Sequence, residues 1–167
     1  MHRSLVARRF ALRSLLAATL LFALPACGGP DFEAIRGYKG FLEEAKPSLT
    51  KMNRVRVDLF HVAEPSEMLA KFKTDLLPEV ARLSKLASDH PTPGTTQLAE
   101  IHTTLKKVLS DYNEQTTKLV DRLGAAKDDR DREAALVAWG EADQKFGADM
   151  AKLVEQLTRY LDEQTKR

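Results

Sequence analysis

Imidazole is the side chain here best suited to metal or proton chemistry, and three histidines lie beyond residue 26: His61, His90 and His102. If successive helices alternate in direction, His61 falls late on the first helix and His102 early on the third. At 1.5 Å per residue that places them at opposite ends, roughly 35 Å apart, too far to share a metal. His90 and His102 fall at the same end, with His90 in a loop. Two histidines without a third ligand do not make a zinc or iron site, so all three are expected as solvated surface residues. A di-iron core needs two Glu-x-x-His pairs and two further glutamates, whereas the chain offers Asp58-x-x-His61 once. Cys27 is the single cysteine, so Cys-x-x-Cys-His haem attachment is absent. Met52 and His102 are the candidates by type for a non-covalent haem, but Met52 falls on an apolar stripe, where packing explains it. Asp143 is the most suggestive acid, because it lies between Trp139 and Phe146 on an apolar seam. A carboxylate there is costly without a partner, and the neighbouring Ala142 allows a packing in which Asp143 reaches the edge instead. The sequence contains no Gly-x-Ser-x-Gly, phosphate-binding loop or dinucleotide fingerprint. The expectation is a non-catalytic protein with no catalytic residue, metal or cofactor.

The elements that position these residues read as helices throughout. Phe32, Ile35, Tyr38, Leu42, Ala45, Leu49, Met52, Val55, Leu59 and Val62 recur at helical spacing over 31–63. Pro65 suits the first turn of a second helix, which carries Leu69, Phe72, Leu76, Val80, Leu83 and Ala87 to about Ser88. "DHPTPGTT" is a loop, with Thr95 or Thr96 placed to cap a third helix. Leu98, Ile101, Leu105, Val108, Tyr112, Thr116, Leu119 and Leu123 line that helix, which ends at Gly124 or in "AKDDRD". Leu136, Trp139, Phe146, Met150, Leu153, Leu157 and Tyr160 line the fourth, over about 129–164. No alternating strand pattern is present. Four long helices with short connections predict an all-α, antiparallel up-down-up-down four-helix bundle over 31–167.

Pro47 lies 17 residues before Glu64 and Pro78 lies 14 after it, so a hairpin turning there sets both at nearly one height. Each proline removes a backbone hydrogen bond and bends its helix. By the same counting the fourth helix passes that level near Phe146 and Gly147. Pro47, Pro78, Asp143, Phe146 and Gly147 are therefore the candidate residues for a lateral cleft or polar core site. Plain curvature is the alternative.

The net charge of +2 misleads, because Arg3, Arg8, Arg9 and Arg13 lie in the first 26 residues with no acid among them. The remainder is slightly acidic and carries both signs on the same faces, which excludes the concentrated basic surface of a nucleic-acid binder. After the basic start, Ser14–Leu24 is an apolar run of 11 residues, against roughly 20 for a stable span. Residues 1–26 thus read as a cleaved leader outside the fold. Leu24-Pro25-Ala26-Cys27 resembles the lipobox of bacterial lipoproteins, with Pro25 where a small residue is more usual. The resemblance implies cleavage before Cys27, acylation of Cys27 and attachment to the membrane. Cleavage after Gly28 is the rival, and "ARRFAL" is a partial match to a twin-arginine signal. Residues 27–30 then form a short lipidated tether. Gly28 after the cysteine resembles the signal for sorting to the outer membrane. A mature domain with no thiol depends on packing for its stability.

The function expected from these features is that of an envelope lipoprotein facing the periplasm. Its helical domain would bind another envelope protein or act as a spacer. A small-ligand or haem-binding bundle and a periplasmic chaperone-like bundle are the alternatives.

Overall fold

The computed structural model describes residues 30–59, 61–62 and 64–165. The leader, Cys27 and the first residues of the tether lie outside them. The described residues form four helical rods and no strand, so the protein is all-α. α1 spans Pro30–Leu59. The second rod is α2 (Pro65–Lys71), a π-helical turn at Phe72–Leu76, and α3 (Leu77–Asp89), with no break between them. α4 is Thr96–Ala125 and α5 is Asp129–Thr165.

The boundaries follow local chemistry. α1 stops at Leu59, short of the expected 63, because the residue before a proline is driven to extended backbone. Glu64, before Pro65, sits at φ −84° and ψ 122°. The chain leaves α1 through a tightened turn, with the His61 and Val62 amides on the Asp58 and Leu59 carbonyls at 3.0 and 3.3 Å. Thr95 caps α4, its hydroxyl accepting from the Leu98 amide at 3.3 Å. Asp128 does the same for α5, accepting from the Asp131 amide at 2.9 Å. Gly124 is helical, and α4 ends just beyond it.

The π turn is a departure from the expected regular helix, and Pro78 explains it. In an α-helix its ring would clash with the Thr74 carbonyl and leave that carbonyl unbonded. One extra residue in the turn relieves the clash. It also corrects the apolar register. Phe72, Leu76 and Val80 are each four residues apart, which in a regular helix would rotate the stripe by about 80°. All three side chains are fully buried.

α4 is the central element. It packs along α5 and α3 and touches α2, while α1 packs along α3. Contact on several sides demands a wide apolar face. Adjacent residues are therefore buried together on α4: Ile101 with His102, Val108 with Leu109, and Leu119 with Val120. Across the core Phe72 meets Trp139 edge to face, centroids 4.8 Å apart. The exposed faces carry i,i+4 pairs such as Lys39–Glu43, Lys107–Asp111 and Lys145–Asp149. No helix among the described residues is long and apolar enough to cross a membrane.

Candidate functional site

Three polar clusters sit inside this apolar frame. The first is built on Asp143, which α5 presents between Trp139 and Phe146. Asp143 is buried, and the edge position that Ala142 would have allowed is not adopted. The compensating charge comes from Arg56 near the end of α1. Its Nε donates to Asp143 Oδ1 at 2.6 Å and its Nη2 to Oδ2 at 2.9 Å, a two-pronged pair. The Arg56 and Asp143 side chains are 14% and 10% exposed, so water screens the pair little. The Tyr112 hydroxyl donates to the same Oδ1 at 2.7 Å, and Arg56 Nη1 donates to the Asn53 side chain at 3.0 Å.

Aromatic rings hold this cluster in place. Tyr112 and Phe146 stack with centroids 4.1 Å apart, and the guanidinium carbon lies 5.1 Å from the centre of the Phe146 ring. Burial, and then the Asp143 charge, push the Tyr112 hydroxyl well above its usual titration range, so it stays a donor. Burial opposes the charge on Arg56, but the hydrogen bond to Asp143 and the nearby Tyr112 outweigh it, and the net shift is upward. Gly147 leaves the room: a Cβ there would lie 3.9 Å from Arg56 Nη2, at ordinary contact. Charge and donors balance within the cluster, and every polar bond in it joins two helices or two turns of one.

The second cluster corrects the expectation of solvated histidines. His102 is 2% exposed and His90 is half-buried, while His61 is exposed as expected. The His102 ring lies 5.3 Å from His90, 5.7 Å from Tyr38 and 5.4 Å from Phe41, centroid to centroid. His90 lies over Phe41 at 4.7 Å. Neither His102 ring nitrogen makes a hydrogen bond of good geometry among the described residues, although the Ala87 and His90 carbonyls lie near enough to favour a proton on the ring. Burial first, then the neighbouring His90, holds His102 below its usual value. Burial lowers His90 as well, against the pull of Glu44. Tyr38 is pushed up to about 12 by burial. Among the described residues no group of three or more His, Cys, Asp or Glu is placed to hold a metal. Met52 lies 14 residues beyond Tyr38 on α1, about 21 Å along the axis, so it does not share a site with His102.

The proline level divides the remaining candidates. Pro47 and Pro78 do come to one height, because the residues that follow them face each other. Ser48 and Glu79 are both buried, Lys51 Nζ donates to Glu79 Oε1 at 2.7 Å, and the Ser48 hydroxyl favours the same carboxylate. The Lys51 hydrogen bond holds Glu79 below the usual carboxylate range against its burial. Asp143, Phe146 and Gly147 belong instead to the Arg56 cluster, which Arg56 sets about 13 Å further along α1 than Pro47. The structure therefore splits the five candidates into two layers. Two surface hollows lie on exposed parts of α5, around Val137 and around Arg159, away from both layers.

Arg56 was not singled out from the sequence and His102 was expected to be solvated, although a signal existed for each. Leu98, His102, Leu105, Leu109, Tyr112, Thr116 and Leu119 alternate steps of four and three, and all are buried. His102 thus occupies a seat in a regular seam. On α5, Trp139, Asp143, Phe146, Met150, Leu153, Leu157 and Tyr160 show the same alternation. An acid in such a seat calls for a buried base, and Arg56 sits between Met52 and Leu59 on α1 to supply it. Comparison of the chain with protein-family models, with characterised proteins and with solved structures gives no match.

Proposed function

We propose that this chain is a lipid-anchored bacterial envelope protein whose helical domain binds another envelope protein without catalysing a reaction. The observation that carries the reading is the apposition of a lipobox-like Leu24-Pro25-Ala26-Cys27 to the start of α1 at Pro30, three residues beyond the cysteine. Lipid on Cys27 and on the new N-terminus would hold the domain stably, since more than one chain is needed for lasting attachment. Gly28 as the next residue favours the outer membrane, with the domain facing the periplasm.

The domain in this reading is an up-down-up-down four-helix bundle. Three meetings support alternating directions. Tyr38 near the start of α1 touches His90 at the end of α3 and His102 near the start of α4. Thr95 at the start of α4 lies 3.2 Å from the Tyr160 hydroxyl near the end of α5. The start of α1, and with it the tether, then lies at the aromatic end. The internal polar groups act as latches that fix helix register, leaving the outer faces for contact with a partner.

The test is in-cell photocrosslinking. A photoreactive residue at Val57 or Val137, large apolar side chains that are 47% and 57% exposed, is expected to capture one discrete envelope protein. An absence of any adduct from both positions, in cells where the protein is membrane-bound, contradicts protein binding.

A further inference from the structure

The connection between α3 and α4 is held by side chains more than by its backbone. Residues 90–95 read His-Pro-Thr-Pro-Gly-Thr, and the two prolines have no amide hydrogen to give. The His90 amide bonds back to the Leu86 carbonyl at 3.1 Å, closing α3. What ties this end to α1 is the ring stack: His90 over Phe41 and beside Tyr38, and His102 edge-on to both. Burial disfavours a charge on either histidine ring of that stack.

We propose that His90 and His102 form a proton-operated latch: uncharged, they hold the 90–95 connection onto Tyr38 and Phe41, and protonated, they release it. The inference is independent of the anchor on Cys27. His102 is 2% exposed and its ring nitrogens have no good hydrogen bond, so a charge there has neither water nor a carboxylate in contact. The His90 ring, 5.3 Å away, would carry a like charge into the same space.

The charged and titratable groups facing the pair are few, and they set the order of events. From α1, Glu44 favours a proton on His90, and Tyr38 is neutral up to about 12. From α4, Lys106 opposes a charge on His102. From the end of α3 come His90 itself and the Ala87 and His90 carbonyls, which lie near enough to favour a proton on His102 but make no hydrogen bond of good geometry with its ring. His90, half-buried and favoured by the nearby Glu44 charge, takes its proton first. His102 follows only as water enters and the connection lifts. Both rings titrate lower in the folded chain than the usual value of about 6.5. Their contribution to folding is therefore complete above that value and is lost as pH falls through the folded values.

The experiment uses the full chain in detergent with EDTA, between pH 7.5 and 5, which stays above the ordinary carboxylate range. Histidine ring carbons are followed by NMR titration and backbone amides by hydrogen exchange corrected for intrinsic pH dependence. Amides of residues 38–45 and 86–102 are expected to exchange at least tenfold faster at the acid end, while those of 112–120 change little. His102→Phe fills the same space without titrating and should abolish that step, and His90→Gln should weaken it. A step of equal size in His102→Phe overturns the latch. So does wild-type exchange that is unchanged while His102 titrates, or a His102 that titrates at or above the usual histidine value. The wild-type measurements decide the matter even where a variant fails to fold.

Discussion

Replacing Asp143 by alanine removes the acceptor of three side-chain hydrogen bonds, from Arg56 Nε, Arg56 Nη2 and the Tyr112 hydroxyl. It also leaves a guanidinium that is only 14% exposed without its counter-charge. Breaking a buried pair from one side costs roughly 3–5 kcal/mol. Arg56 keeps its bond to Asn53 and some access to water, which places Asp143→Ala near the lower end, about 3 kcal/mol. Asp143→Asn keeps an acceptor for Tyr112 and should cost about 2 kcal/mol, since it loses the charge and turns an amide donor towards the guanidinium. The double variant Arg56→Leu with Asp143→Leu removes both charges and fills the space but leaves the buried Tyr112 hydroxyl without that acceptor, so it should cost about 1–2 kcal/mol, less than the single alanine variant. Urea unfolding followed by circular dichroism reads all three. With a slope of about 2 kcal/mol per molar, the alanine variant should shift the midpoint down by about 1.5 M. If Asp143→Ala costs less than about 1 kcal/mol, or the double leucine variant is as unstable as the single alanine one, Arg56 and Asp143 are not a mutually dependent buried latch.

Three further outcomes follow from the same contacts. Gly147→Ala should stabilise the protein by about 0.5–1 kcal/mol in the same unfolding assay, because its methyl meets Arg56 at 3.9 Å and helix propensity improves. Gly147→Leu should destabilise it by displacing the guanidinium. Glu79 is held below its usual range by Lys51, so its contribution is present above about pH 4.5 and is lost as pH falls through the folded value. Lys51 is 58% exposed, which limits that contribution to about 1 kcal/mol, and Glu79→Gln should flatten the acid limb of a stability–pH curve by that amount. Thr95→Val removes the cap of α4 and the contact with Tyr160, and should cost about 1 kcal/mol by thermal or urea unfolding.

The helices were legible because apolar residues recur at one period and because the punctuation is chemically explicit. Pro65, Thr95 and Asp128 mark starts that the structure confirms to within a residue or two. The π turn was not legible, because Pro78 announces a bend without saying whether the helix kinks or takes in an extra residue. The polar clusters were half legible. Asp143 stood out by its seat, but its partner lies 87 residues away on α1, and pairing at that range depends on which faces meet. His102 was misjudged because a histidine is usually solvated, and because burial of two adjacent positions on one helix follows from α4 being enclosed on several sides, a property of the assembled domain. Pro47 and Pro78 meet at one height because the hairpin is nearly symmetric about Glu64. The same counting misplaced Gly147, since it depends on where α5 begins relative to α1.

The central claim is that Cys27 begins the mature protein and carries its membrane anchor, and the intact mass of the protein extracted from membranes tests it most directly. A single mature species is expected, beginning at Cys27 and exceeding the unmodified polypeptide mass by the diacylglyceryl group and an N-terminal acyl chain. A mass matching unmodified polypeptide, whether uncleaved or beginning at Gly29, contradicts it.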